Sequence, residues 1–130
     1  MTGGAPFHTS AFEMVDSYVL VTTDGRMSVE PKAGPPPRIA GLTIGMHHFA
    51  ADSPHGGELH PTADEFLFVV SGSITVILHC DLHHDHQRHV RIDTGRAAIV
   101  PAGIWHRIVI REPATVLHAT PGPEFAVRGM

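Results

Sequence analysis

The chain has 130 residues, of which 42% are hydrophobic and 17% charged, and its formal net charge is -4 with the histidines neutral. That balance excludes disorder and suits one small domain able to bury a core. It contains no Lys/Arg cluster and no apolar run long enough to span a bilayer, so neither nucleic acid nor membrane is expected as a partner.

Residues 1–38 read as a lead-in with one edge strand. A short helical turn is expected around Ser10 to Met14, then a strand from Tyr18 to Thr23, closed by Asp24-Gly25. Residues 31–38, with Pro31, Gly34, Pro35, Pro36 and Pro37, must be loop. The main unit is expected over 39–120. It opens with a long strand, Ile39 to Phe49, interrupted at Gly45, and a Gly/Pro-bearing loop, Asp52 to Gly57. Short strands follow near 58–60, 65–70, 73–80, 89–94, 96–100, 105–111 and 114–119, with Ser71-Gly72 as a tight hairpin. Pro121-Gly122-Pro123 begins a tail, 121–130. Closely spaced short strands with turn signals indicate an all-β sandwich or barrel in a single domain.

Two segments carry chemistry. Glu58 and His60 are two apart on a strand and share a face. His60 and Glu65 can converge only if the chain turns between them, and Pro61-Thr62-Ala63-Asp64 supplies that turn. Glu65 then opens a strand with Leu67 and Val69 on its own face and Phe66, Phe68 and Val70 on the other. Both faces are apolar, so this strand is expected to be buried on both sides. In the second segment Val100-Pro101-Ala102-Gly103 fits a type I turn. Beyond it His106, Ile108 and Ile110 share one face, and Trp105, Arg107, Val109 and Arg111 the wetter one. His106 therefore points inward, while Trp105 faces away to pack at a sheet surface or a subunit contact. A buried carboxylate needs a partner, and imidazole nitrogens beside carboxylate oxygens suit a divalent transition metal.

Other histidines are secondary. His47 and His48 are adjacent on a strand, so one should face the interior, where it either simply packs or contacts a substrate or joins the metal. His118 could face either way, and His55 could swing inward. His79, His83, His84, His86 and His89 read as a solvated hairpin tip, with a second metal site as the alternative. The single cysteine, Cys80, cannot close an intrachain disulfide and reads as a small buried residue. The first residues, Met1 to Phe7, lack the pattern of a secretory signal, so a cytoplasmic protein is expected.

Over roughly residues 41–120 these segments resemble the cupin superfamily. Gly95, Pro101, Gly103 and His106 fall in register with its second motif, and His60, Glu65 and Gly72 with its first. The chain departs from the pattern at Asp52 (a glycine in the motif), Glu58 (its first histidine) and Ile110 (its terminal asparagine). The resemblance implies a double-stranded β-helix, the jelly-roll or cupin barrel, holding one divalent transition metal. Carried over residue by residue, the ligands would be Glu58, His60, Glu65 and His106. Two carboxylates would cancel the charge of the ion and polarise bound water less than a three-histidine site. Such oxygen-rich ligation favours iron or manganese, with zinc, nickel and copper as alternatives. In a second arrangement Glu58 leaves the ion and serves as catalytic acid or base; in a third, its presence marks loss of the metal. The implied activity is that of a metal-dependent enzyme on a small polar organic molecule, of the dioxygenase, isomerase or epimerase, or lyase type. His47, His48, Leu67, Ile108 and Ile110 are the pocket candidates, with Phe66 in an apolar shell. A non-catalytic ligand-binding or sensor cupin is the alternative. The resemblance also implies a homodimer, with the Tyr18–Thr23 strand pairing as an edge.

Overall fold

The computed structural model describes residues 9–79 and 87–129. A single 3-10 turn, Met14–Asp16, precedes nine strands among the described residues. They are β1 (Ser17–Val21), β2 (Met27–Pro31), β3 (Gly41–Phe49), β4 (Gly57–Leu59), β5 (Glu65–His79), β6 (Gln87–Asp93), β7 (Ala97–Val100), β8 (Trp105–Gly122) and β9 (Ala126–Arg128). No helix among the described residues is long and apolar enough to cross a membrane.

The antiparallel pair β5–β8 is the spine. Its register runs from Phe66 opposite Ala119 to His79 opposite Trp105, with irregularities between Val69 and Ile74. Each long strand changes its outer partner along its length. The first part of β5 pairs with β7 and the later part with β6. The end of β8 pairs with β3, and its beginning with β4. The pairings thus form two connected sheets, β2-β1-β3-β8-β5-β7 and β6-β5-β8-β4-β9. Bulges let strands bend from one sheet into the next, and the core of Leu67, Val69, Ile74, Val76, Ile92, Val100, Ala114 and Val116 collects on the inner side. This is the all-β architecture expected from the strand spacing, in the jelly-roll form that the resemblance implies.

Several local expectations are corrected. Ser71-Gly72 does not make a hairpin, and the segments at 65–70 and 73–80 belong to one bent strand. Gly72 has φ +90°, and a Cβ there would lie 2.2 Å from the Pro113 carbonyl oxygen and 2.6 Å from Ala114 Cα. The glycine lets β8 approach at the bend, which a two-strand turn would not require. The segments at 105–111 and 114–119 are likewise one strand. Nor is Gly45 an interruption: it is buried within β3, where a Cβ would meet His118 Nε2 at 2.6 Å. The start of β5 is buried on one face only, for Phe66 is 40% and Val70 42% exposed while Leu67 and Val69 are buried. Strand β1 is flanked by β2 and β3, so it is not an edge; β2, exposed along its whole length, takes that place. Periodicity could not show β2, because it has no buried face.

Candidate metal centre

Strands β4, β5 and β8 bring the candidate ligands together. Glu58 and His106 are register partners on β4 and β8. His60 sits just past β4, where its carbonyl accepts the Gly103 N–H at 2.8 Å. The expected turn after His60 is present, but Asp64 caps the opposite loop rather than its own, accepting the Ala102 N–H at 2.8 Å. These two bonds pin the turn beside His60 to the turn before His106, and so fix the spacing of the two imidazoles.

Donor atoms of Glu58, His60 and His106 all lie within 4.8 Å of one another. Glu65 bridges the two histidines: Oε1 accepts from His106 Nε2 at 3.0 Å, and Oε2 is 3.5 Å from His60 Nε2. The Glu58 Oε1 atom is 3.8 Å from His60 Nε2. His60, Glu65 and His106 are buried, and Glu58 is the most exposed of the four. His106 Nδ1 faces the Ile104 carbonyl at 3.3 Å, which turns Nε2 towards the other donors. The two nitrogens of His60 are buried and have no hydrogen-bond partner.

Electrostatics follow from these contacts. Burial by itself would raise the Glu65 carboxyl, but the hydrogen bond from His106 and the nearness of the His60 ring outweigh it and hold the group far below the usual carboxylate range. Burial by itself would lower His106; the bond to Glu65 wins, and its pKa is raised. Each group thus favours the charged form of the other.

Two further side chains that the spacing of motifs did not single out for this role complete the support. Thr120 Oγ1 donates to Glu65 Oε2 at 2.5 Å, and His118 Nδ1 lies 2.6 Å from the same hydroxyl. Because the threonine proton goes to the carboxylate, His118 must donate from Nδ1. Its Nε2 is then bare, buried and without a partner. Burial is the main cause that pushes the His118 pKa down to about 4. On the other flank Arg38 Nη2 donates to Glu58 Oε1 at 2.7 Å, with its guanidinium 4.0 Å above the Phe125 ring. Arg38 follows a proline run, and no local pattern marked it.

A cavity of about 280 Å³ opens beside these residues. Of the pocket candidates, His47, Leu67 and Ile108 line it, together with His55, His118 and Arg38. His48 does not: it is exposed and bonds Thr115 Oγ1 at 3.1 Å. Ile110 packs against the core, and its N–H donates to Asp52 Oδ1 at 2.7 Å. Phe66 is on the outer surface rather than in an apolar shell around the site. His47 stacks on His118 with ring centres 5.0 Å apart, and burial, then Lys32, lowers its pKa. Trp105 packs under Arg128 at 4.2 Å. Cys80, His83, His84 and His86 lie outside the described residues; His79 and His89 flank them and are within 3.5 Å of Gln87.

A family model described as a cupin domain matches residues 46–120, more than half of the chain. The chain belongs to the cupins. Its solved structural neighbours include oxalate oxidase in complex with the substrate analogue glycolate, at 20% identity and TM-score 0.54, over 66% of this chain and 45% of that one. An oxalate decarboxylase from Bacillus subtilis matches at 17% identity and TM-score 0.54, over 70% of this chain and 24% of that one. A conserved Streptococcus pyogenes protein of unknown function matches at 21% identity and TM-score 0.53, over 67% and 69%. This cupin thus spans less than half of the oxalate enzymes it resembles, and the likeness is one of fold. No curated protein matches the chain. The glycines of the second cupin motif have a local reason here: Gly95 and Gly103 have φ of 81° and 77°, and each turns the chain at one end of the β7 segment.

Proposed function

We propose that this cupin holds one divalent transition metal between Glu58, His60, Glu65 and His106, and acts as a metal-dependent enzyme on a small oxygen-bearing organic molecule in the adjoining cavity. The observation that carries this reading is His60. Its ring is 3% exposed, neither nitrogen has a hydrogen-bond partner, and two carboxylates and a second imidazole surround it. A buried polar ring left in that state is costly unless a cation takes one nitrogen. Two nitrogens and two carboxylates suit iron or manganese above softer ions.

When bound, such an ion supplies a Lewis acid that polarises an oxygen of the molecule beside it. The remaining work falls to the protein. Thr120 and His118 hold Glu65 in one orientation, and Leu67, Ile108 and Val116 keep bulk water from the inner wall. Glu58, on the cavity side and braced by Arg38, is the group placed to take up or return a proton. His47, neutral near pH 7, offers the wall a hydrogen-bonding ring rather than a charge. The oxalate named for two of the neighbours is a small organic acid, which supports the substrate class but not a choice of reaction. Dioxygenation, isomerisation or epimerisation, and lyase chemistry all need this combination of Lewis acid and proton carrier.

The test is elemental analysis after anaerobic purification with iron or manganese supplied, with the histidines between His79 and His89 replaced to remove adventitious binding. About one ion per chain, lost in His106→Ala, is expected. Absence of bound metal refutes the proposal. Glu58→Gln separates the two roles of that residue: metal kept with turnover lost makes it the acid or base, and metal lost makes it a ligand. One observation favours a second reading, a metal-bearing cupin that only binds its ligand. The Arg38–Glu58 ion pair occupies the oxygen that would carry the proton. Ligand binding by calorimetry with no turnover in the metal-loaded protein would establish that reading.

A further inference from the structure

The loop that carries Arg38 is stiff and anchored on both sides. Pro35, Pro36 and Pro37 fix three successive φ angles just before it. Tyr18 donates its hydroxyl to the Gly34 carbonyl at 2.9 Å, and Thr43 donates to the Pro37 carbonyl at 2.6 Å. Both residues are 2% exposed, so two of the most deeply buried side chains end on this loop. Beyond Arg38, Ala40 bridges to Gly122, and a Cβ on Gly122 would lie 2.6 Å from the Ile39 carbonyl oxygen. The pairing of β9 with β4 then brings the Phe125 ring to the guanidinium, 4.0 Å away. Among the described residues Arg38 makes one side-chain hydrogen bond, from Nη2 to Glu58 Oε1, and its side chain keeps 28% exposure where it lines the cavity. A guanidinium carries five N–H donors in a planar fork, so four remain for a ligand.

The charge of the cavity points the same way. Its formally charged lining residues are Arg38, Arg107, Asp52, Glu58 and Glu65. With the lining histidines counted as neutral, three carboxylates against two guanidinium groups leave one negative charge. The proposed divalent ion turns that into one positive charge. We infer that Arg38 is the specificity-determining residue of this cavity, and that it binds the carboxylate of a small organic acid carrying a single negative charge. The inference rests on the proposed metal, because without the ion the cavity repels an anion. The planar fork matches the two oxygens of a carboxylate and can bond both at once. A phosphate monoester carries about -1.5 to -2 charge at neutral pH and would leave the cavity negative again. A neutral polyol would leave the positive charge of a half-buried guanidinium unanswered. The stiff loop adds to the selection, since a guanidinium held in place before binding loses little freedom when the ligand arrives.

The experiment is calorimetric titration of the manganese-loaded full chain, with metal content measured in every sample. The probes are lactate, 1,2-propanediol, in which a hydroxymethyl group replaces the carboxylate, and methyl phosphate, which has the size of lactate and a greater charge. Tightest binding of lactate is expected, weakened roughly 10- to 100-fold in Arg38→Gln while the diol is unaffected. Phe125→Leu keeps Arg38 and removes the ring, and a weakening of about 2- to 5-fold for lactate is expected. Phe125 is 45% exposed, so this second variant folds whatever happens to the first. A protein that holds its ion and binds lactate equally well with arginine or glutamine at position 38 overturns the inference. So does tighter binding of methyl phosphate or of the diol than of lactate. A wild type that takes up no ion overturns the proposed metal centre, and this inference with it; the metal content of the samples tells that failure from the others.

Discussion

Thr120→Val is the sharpest probe of how the protein holds Glu65. The exchange preserves shape and removes one hydroxyl that is 7% exposed and has two partners. The bond it donates goes to an ionised carboxylate, and such bonds contribute about 1.5–3 kcal/mol. The bond it accepts satisfies His118 Nδ1, and a buried donor left without a partner costs about 1–3 kcal/mol. Together these predict a loss of about 3–5 kcal/mol, a large share of the 5–15 kcal/mol of a typical domain. For a domain of this size that corresponds to a fall of roughly 10–20 °C in Tm. The measurement is urea and thermal unfolding of chelator-treated protein, since a bound cation would take over the carboxylate. Thr120→Ser is the control: it keeps the hydroxyl and loses one methyl, about 1 kcal/mol. If the valine and serine variants unfold within about 1 kcal/mol of each other, the relay from His118 to Glu65 contributes nothing and the reasoning fails.

Further outcomes follow from the same geometry. His118 is held near pKa 4 against an ordinary 6.5, so between those values the unfolded chain binds a proton that the folded chain refuses. Its contribution is full above pH 6.5 and is lost as pH falls towards 4, an effect of about 3 kcal/mol; His118→Asn should flatten the pH dependence of unfolding in that window, and equal slopes would contradict it. Gly72→Ala forces a Cβ to 2.2 Å from backbone oxygen at positive φ and should cost more than about 3 kcal/mol or abolish folding. At Gly95 the φ is similarly positive but nothing lies within 4 Å, so Gly95→Ala should cost only about 1 kcal/mol; comparable losses at the two sites in chemical denaturation would show that backbone angle, and not the approach of β8, sets the requirement.

The parts of this molecule legible along the chain are those governed by neighbours a few residues away. Proline and glycine in Val100-Pro101-Ala102-Gly103 make a turn from their own backbone preferences, and strand alternation places Glu58 with His60 and turns His106 inward. Those local rules orient the side chains, the resemblance to the cupins names the four residues as a ligand set, and the structure gathers them into one small volume. They were silent on Arg38, which meets Glu58 across 20 positions of chain, and on Thr120, which meets Glu65 across 55. Such contacts depend on the pairing of β5 with β8, and nothing within either strand encodes its partner's register. Gly72 shows the same division: its composition fits a hairpin or a bulge equally, and only the approach of Pro113 and Ala114 selects the bulge. The apolar residues on both sides of β5 were read as burial on both sides. Alternation reports which side chains are apolar, whereas what covers them is set by the packing of whole sheets, and possession of an uncovered face is a property of the assembled fold.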